Sequence, residues 1–213
     1  MMAETIAGVV IPDTHLVREA TEMVRTVTDE LLYHHSRRVY LWGALQGARR
    51  GLVPDAELLY IGAMFHDLGL TAEHGSSDQR FELDGADAAR AFLRSHGVRE
   101  EEARNVWLGI ALHTTPGITE RLEPEIALVT AGVETDVLGL NLDALTSAEI
   151  QEVIAAHPRV NFKSSILRAF YDGMKCRPDT TFGTMNDDVI AHFDPTFARA
   201  DFVTLIESNA LPG

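Results

Sequence analysis

Cysteine is almost missing from this chain: Cys176 is the only one in 213 residues, so no internal disulfide can form. Lysine is nearly as rare, with 16 of the 18 basic residues being arginine. Those 18 stand against 32 acidic residues, a formal net charge of −14. Such a surface repels phosphate backbones and anionic membranes, which argues against a nucleic-acid or membrane-surface binder. No apolar run approaches the roughly 20 residues of a membrane span. Met1 to Val10 has neither a basic start nor a long apolar core, so no signal peptide is expected. With a single thiol, this points to a reducing cytoplasm. Cys176 lies between Lys175 and Arg177, but no histidine near it in sequence marks it as a nucleophile. A glycine-rich phosphate cradle is absent as well.

What is present is ordinary globular material, 46% hydrophobic and 23% charged, enough for one well-buried domain. Its apolar residues recur at helical spacing. Leu16, Val17, Ala20, Met23, Val24, Val27 and Leu31 predict an amphipathic helix opened by Pro12-Asp13-Thr14. A second helix carries Val39, Trp42 and Leu45 and stops near Gly51. A third runs from Pro54-Asp55 to Phe65, with Gly69 as its closing glycine. Further helices are expected over Phe81 to Ser95, from Glu100-Glu101-Glu102 towards His113, and from Pro124 through Val137. Thr146-Ser147-Ala148-Glu149 is a capping box. Asn161 to Met174 follows, with Phe162, Ile166, Leu167 and Phe170 expected inside. Beyond Cys176 the chain reads as irregular, with short helices around Asp188 to His192 and Phe202 to Glu207. No strand is expected. The fold class is all-α: an N-terminal helix over 1–30, a helical domain over 31–175 and an extension over 176–213. Exposed aromatic residues in that extension would suit a homodimer.

Four residues stand out within this pattern. His66-Asp67 ends a very apolar stretch, where a carboxylate is costly unless it is paired, caps a helix or binds a metal. His35 shares a helix face with Val39 and Trp42, so it is expected to point inward, whereas His34 turns away by about 100°. A lone inward histidine is also a common core residue. Asp136 sits among Val133, Val137, Leu138 and Leu140 and needs a cation; Glu134 is its competitor. Two imidazoles and two carboxylates suit a divalent transition metal that activates water, zinc first, with iron, manganese and nickel also compatible. Helix bundles build such sites from inward side chains of facing helices. The other histidines, His15, His74, His96, His157 and His192, fall near helix ends or in polar surroundings, where exposure is the expectation.

Together, His35-Ser36-Arg37-Arg38-Val39-Tyr40, Met64-Phe65-His66-Asp67-Leu68-Gly69 and Glu134-Thr135-Asp136-Val137-Leu138-Gly139 resemble the HD-domain superfamily of metal-dependent phosphohydrolases. The resemblance implies a helical HD bundle with His35, His66, Asp67 and Asp136 as metal ligands. Phe81-Glu82 with Gly85-Ala86, Ala111-Leu112-His113-Thr114 and Ile154-Ala155-Ala156-His157-Pro158-Arg159 look like the cyanamide hydratase-like branch. Two-metal relatives usually carry a histidine where this chain has Phe81, which implies a single metal.

These features lead to three expectations. The first is a mononuclear hydratase or hydrolase for a small, nitrile-bearing molecule. In it Asp67, Glu82 and His113 would be catalytic, and Thr114, Arg38 and Glu82 would contact the substrate. Glu82 can also be read as a helix-start carboxylate, and His113 as a residue capping the end of its helix. The second is a phosphohydrolase for a nucleotide or small phosphate ester, drawing on Arg37, Arg38 and Arg80. The third is a non-catalytic metal-binding sensor.

Overall fold

The computed structural model describes residues 4–208. The chain starts as a short antiparallel hairpin, β1 (Thr5–Ile6) and β2 (Val9–Val10), with Thr5 opposite Val10. The Thr14 hydroxyl then accepts from the Val17 amide and opens α1 (His15–Val27). Asp29 accepts from the Leu32 amide at 2.9 Å and starts α2 (Glu30–Arg50). Arg49 and Arg50 lie in its last turn, and Gly51, at φ 67°, closes it in the left-handed conformation. Asp55 caps α3 (Ala56–Phe65) by accepting from Glu57 and Leu58. Then come α4 (Phe81–Ser95), α5 (Glu100–Ala111) and α6 (Pro124–Val133), which continues as a wider π turn over Glu134–Leu138. The capping box of Thr146 and Glu149 opens α7 (Ser147–Ala156). The remaining helices are α8 (Phe162–Met174), α9 (Asn186–Phe193) and α10 (Phe202–Glu207). Among the described residues no helix is long and apolar enough to cross a membrane.

Helix α2 runs through the middle and packs on α3, α6, α7 and α8. It is buried on nearly every side between Leu32 and Gly47, as expected of a central helix. Helices α3, α5 and α6 pack on one another around it, α1 lies on α3, and α4 lies on α5. The C-terminal extension is seated through Ile190, which joins Phe81 and Met174 in a separate small core. The buried Arg177–Asp84 ion pair adds to that seat, and Arg177 also donates to the Gly69 carbonyl at 2.6 Å.

The approach of α2 to α6 is set by backbone contact. A Cβ on Gly132 would stand 2.2 Å from the Val39 carbonyl oxygen, and one on Gly43 would stand 2.6 Å from that of Leu128. A side chain at either position forces the two helices apart. Gly132→Ala is expected to cost about 3 kcal/mol by overpacking, read as a lower midpoint in chemical denaturation. An unchanged midpoint would show that this contact does not set the helix spacing.

Several expectations need correction. The N-terminal hairpin went unforeseen because each strand is only two residues long, too short for an alternating pattern. The first helix stops at Val27, and Leu31 belongs to α2, because Asp29 is a better cap than the intervening residues are helix formers. Gly69 does not close α3. It lies in a short 3₁₀ turn, Leu68–Leu70, and is required because a Cβ there would meet the Phe81 carbonyl at 2.0 Å. Leu167 is 39% exposed while Phe162 and Ile166 are buried. The two short C-terminal helices form as expected, and Phe202 is exposed.

Candidate metal centre

Helix ends converge on the second turn of α2. His66 and Asp67 follow the last residue of α3, His113 follows α5, and Asp136 sits in the π turn that follows α6. The carbonyl ends of helices carry partial negative charge, so this junction favours a cation. His35 enters from α2, fully buried, while His34 turns to the outer side and meets Glu30 and His157.

Hydrogen bonds fix which imidazole nitrogen faces the junction. His66 Nδ1 is 2.7 Å from the Ala63 carbonyl and His113 Nδ1 is 2.6 Å from that of Ile110, so both Nδ1 atoms donate. His35 Nδ1 donates to the Asp136 carboxylate at 2.7 Å. All three histidines are thereby held with Nε2 as a lone pair. His35 Nε2 and His66 Nε2 face each other at 3.1 Å. Asp67 Oδ2 lies 3.5 Å from the first and 3.3 Å from the second, near enough for attraction but not aligned for a hydrogen bond. Both Asp67 oxygens are buried with no hydrogen-bond partner. His113 Nε2 stands 3.8 Å from Asp67 Oδ1.

Every atom turned to this point is therefore an acceptor. Buried acceptors facing acceptors are unfavourable unless a proton or a cation lies among them. His35, His66 and Asp67 offer atoms that all lie within 4.8 Å of one another. Two imidazole nitrogens and one carboxylate are a donor set that zinc and its neighbours accept, so the residues fit a divalent metal.

The titration behaviour agrees. Burial disfavours a charged Asp67, but His66, His35 and His113 outweigh it and hold the carboxyl far below the usual range. Burial and the neighbouring His66 push His113 down to about 4, so it is neutral at pH 7. Burial also lowers His35. Burial opposes a charge on His66 too, yet Asp67 raises its pKa overall, the mark of a carboxylate turned to that ring.

Asp136 stands apart from this group, on the far side of the His35 ring. Besides His35 it accepts from Arg38 Nε at 2.8 Å, Trp42 Nε1 at 2.9 Å and Arg159 Nη1 at 2.6 Å. Its carboxylate is saturated by these donors. Arg38 is equally committed, donating to Asp136 and to the carbonyls of His157 and Pro158. Glu82 is buried beside the junction and accepts from Arg80 at 2.7 Å, Asn186 at 2.9 Å and the Thr114 hydroxyl. Burial works against its charge, but Arg80 and then His113 and Thr114 keep it below the usual range. The Phe81 ring lies edge-on to His113, 5.6 Å between centroids.

The structure therefore brings His35, His66, Asp67 and His113 to one point. It sets Glu82 and Thr114 beside it, and puts Asp136 and Arg38 behind His35. Trp42, Arg159 and Asn186 were not foreseen. Arg159 lay within the quoted His-Pro-Arg segment, but nothing in the sequence joins Asn186 to Glu82. A separate cavity of about 710 Å³ lies between α1 and α2, lined by Tyr33, Arg37, Tyr60 and His157 among others. Arg37 is committed there, donating to Glu4 at 2.6 Å and Tyr60 at 2.8 Å.

His157, expected at the surface, is buried. Its Nε2 accepts from Arg37 at 3.3 Å, its Nδ1 meets His34 at 3.0 Å, and its carbonyl holds Arg38. Burial and then the nearby Arg37 push its pKa down to about 3. The folded protein thus refuses a proton that the unfolded chain accepts near pH 6.5. The stability involved is full above that pH and is lost as pH falls towards 3. His157→Asn is expected to remove on the order of 2 kcal/mol of this acid sensitivity, seen in urea midpoints between pH 7 and 4. Parallel pH profiles for the variant and the wild type would contradict it.

Compared with models of protein families, residues 32–159 match the HD domain. A search of curated proteins finds no match.

Proposed function

The chain belongs to the HD-domain family, and on that basis we propose that it is a mononuclear metal-dependent hydratase or hydrolase that adds water to a small, nitrile-bearing molecule of the cyanamide kind. Members of the family are generally metal-dependent hydrolases. The observation that carries the reading is the convergence of three imidazole lone pairs and an unpartnered carboxylate on one buried point. His35, His66 and Asp67 would hold the ion, zinc first, with iron, manganese or nickel also suited to these donors. When bound there, such an ion would supply Lewis-acid activation of water.

The rest falls to side chains. His113, neutral at pH 7, takes a proton from the attacking water at Nε2 and returns it to the nitrile nitrogen. The oxygen bonds to the nitrile carbon to give isourea, and transfer of the remaining hydroxyl proton to the same nitrogen gives urea, so cyanamide and one water are fully accounted for. Glu82 fixes Thr114 and Arg80 through Oε1, and Thr114 orients the polar end of the substrate. Asp136 is a positioning residue: it holds the His35 tautomer and is itself clamped by Arg38. The cluster is almost wholly buried, Asp67 being 2% exposed, which suits a substrate of a few atoms.

A phosphate ester is the second reading, and one observation bears on it. Of the three arginines that would hold phosphate, Arg37 and Arg38 are fully engaged elsewhere, and only the partly exposed Arg80 borders the site. The test is urea formation from cyanamide by zinc-loaded protein, beside phosphate release from a nucleotide panel. Urea supports hydration. Phosphate without urea moves the reading to a phosphohydrolase, and neither product with tightly held metal favours a sensor.

A further inference from the structure

We propose that His15, Glu19 and His96 form a second, surface site for a divalent transition cation of the zinc kind. His15 is the first residue of α1 and Glu19 lies one turn on, so both project from the same face. His96 follows the last residue of α4. One donor atom from each residue lies within 4.8 Å of the others. Glu19 uses both its oxygens: Oε1 is 3.5 Å from His15 Nε2, and Oε2 contacts His96 Nε2. Donors around a tetrahedral zinc, at about 2.0–2.1 Å from the ion, sit about 3.3 Å apart, close to the 3.5 Å between Glu19 Oε1 and His15 Nε2.

The His96 ring is set in place before any ion arrives. Its Nδ1 donates to the Phe92 carbonyl at 2.8 Å, and the ring rests on the Phe92 ring with centroids 4.3 Å apart. Its Nε2 is thereby aimed at Glu19. A single histidine would complete an ion pair with that carboxylate. A second imidazole on the same carboxylate is what a metal site needs and an ion pair does not. The residues face solvent, so water completes the coordination. An ion bound here ties α1 to α4, the helix whose first turn carries Glu82.

The experiment is metal content after equilibrium dialysis of the full-length protein against excess zinc, with His96→Gln, Glu19→Gln and Asp67→Ala beside the wild type. All three changes leave the helices without steric conflict, and circular dichroism checks the fold. Two zinc ions per chain in the wild type and one in each variant is the expected result. Two ions retained by His96→Gln and Glu19→Gln would overturn the proposal, because the second ion then sits elsewhere. A single ion in the wild type that Asp67→Ala loses would overturn it too, with the buried centre still standing. A single ion that His96→Gln loses and Asp67→Ala keeps would support the surface site and remove the buried one.

Discussion

Asp67→Asn is expected to abolish tight metal binding and lower turnover by on the order of a thousandfold, since Lewis-acid assistance is worth several kcal/mol. It should do so at a smaller cost to the fold than loss of a hydrogen-bonded carboxylate. Both Asp67 oxygens are buried without a hydrogen-bond donor, so the carboxylate contributes no directed bond that asparagine would break. Asparagine also forfeits the attraction of His66 and His35 for the carboxylate, so folding stability without metal should fall by about 1–2 kcal/mol, less than the loss of a fully bonded buried partner. Metal analysis, turnover and urea denaturation on one preparation separate these effects. Full metal content with wild-type turnover would remove Asp67 from the centre.

Asp136→Ala should behave in the opposite way. Its carboxylate faces Arg38 and Arg159, and Arg38 is fully buried. Removing it leaves buried positive charge unpaired and takes the Nδ1 acceptor from His35. Loss of one partner from a buried pair costs about 3–5 kcal/mol. Metal affinity should fall by about 10–100-fold, the usual effect of losing a group that orients a ligating histidine. The stability loss is read from denaturant midpoints and the affinity from zinc titration against a competing chelator. A stable Asp136→Ala protein with no metal at all would instead make Asp136 a direct ligand. The two variants thus distinguish a carboxylate that holds the ion from one that holds a histidine.

Much of the fold was legible because its helices carry their own signals. Thr14 and Asp55 cap, the Thr146–Glu149 box forms with both reciprocal bonds, and Gly51 takes the left-handed conformation. The inward turn of His35 followed from Val39 and Trp42 on its face; Asp136 is buried as expected, although Leu138 and Leu140, two of the apolar neighbours that suggested it, are exposed. Burial alone could not show what Asp136 faces. That depends on Arg38, Trp42 and Arg159, which α2 and the segment after α7 deliver from both sides. Periodicity reports which side of a helix is inside, not which partner waits there. His157 illustrates the same limit. As a polar residue at a helix end it reads as exposed, yet the packing of β1 and α2 against α7 closes over it. Asn186 was beyond reach for a third reason: its contact with Glu82 spans 104 positions and has no local pattern.

The central claim is that a divalent metal sits among His35, His66 and Asp67. The most direct measurement is an anomalous difference map from crystals grown with zinc and collected at its absorption edge. The account predicts a strong peak bonded to Nε2 of His35, Nε2 of His66 and an Asp67 oxygen, with Asp136 still on His35 Nδ1. Crystals of zinc-loaded protein with no peak there, and the three side chains bonded only to one another, would contradict it.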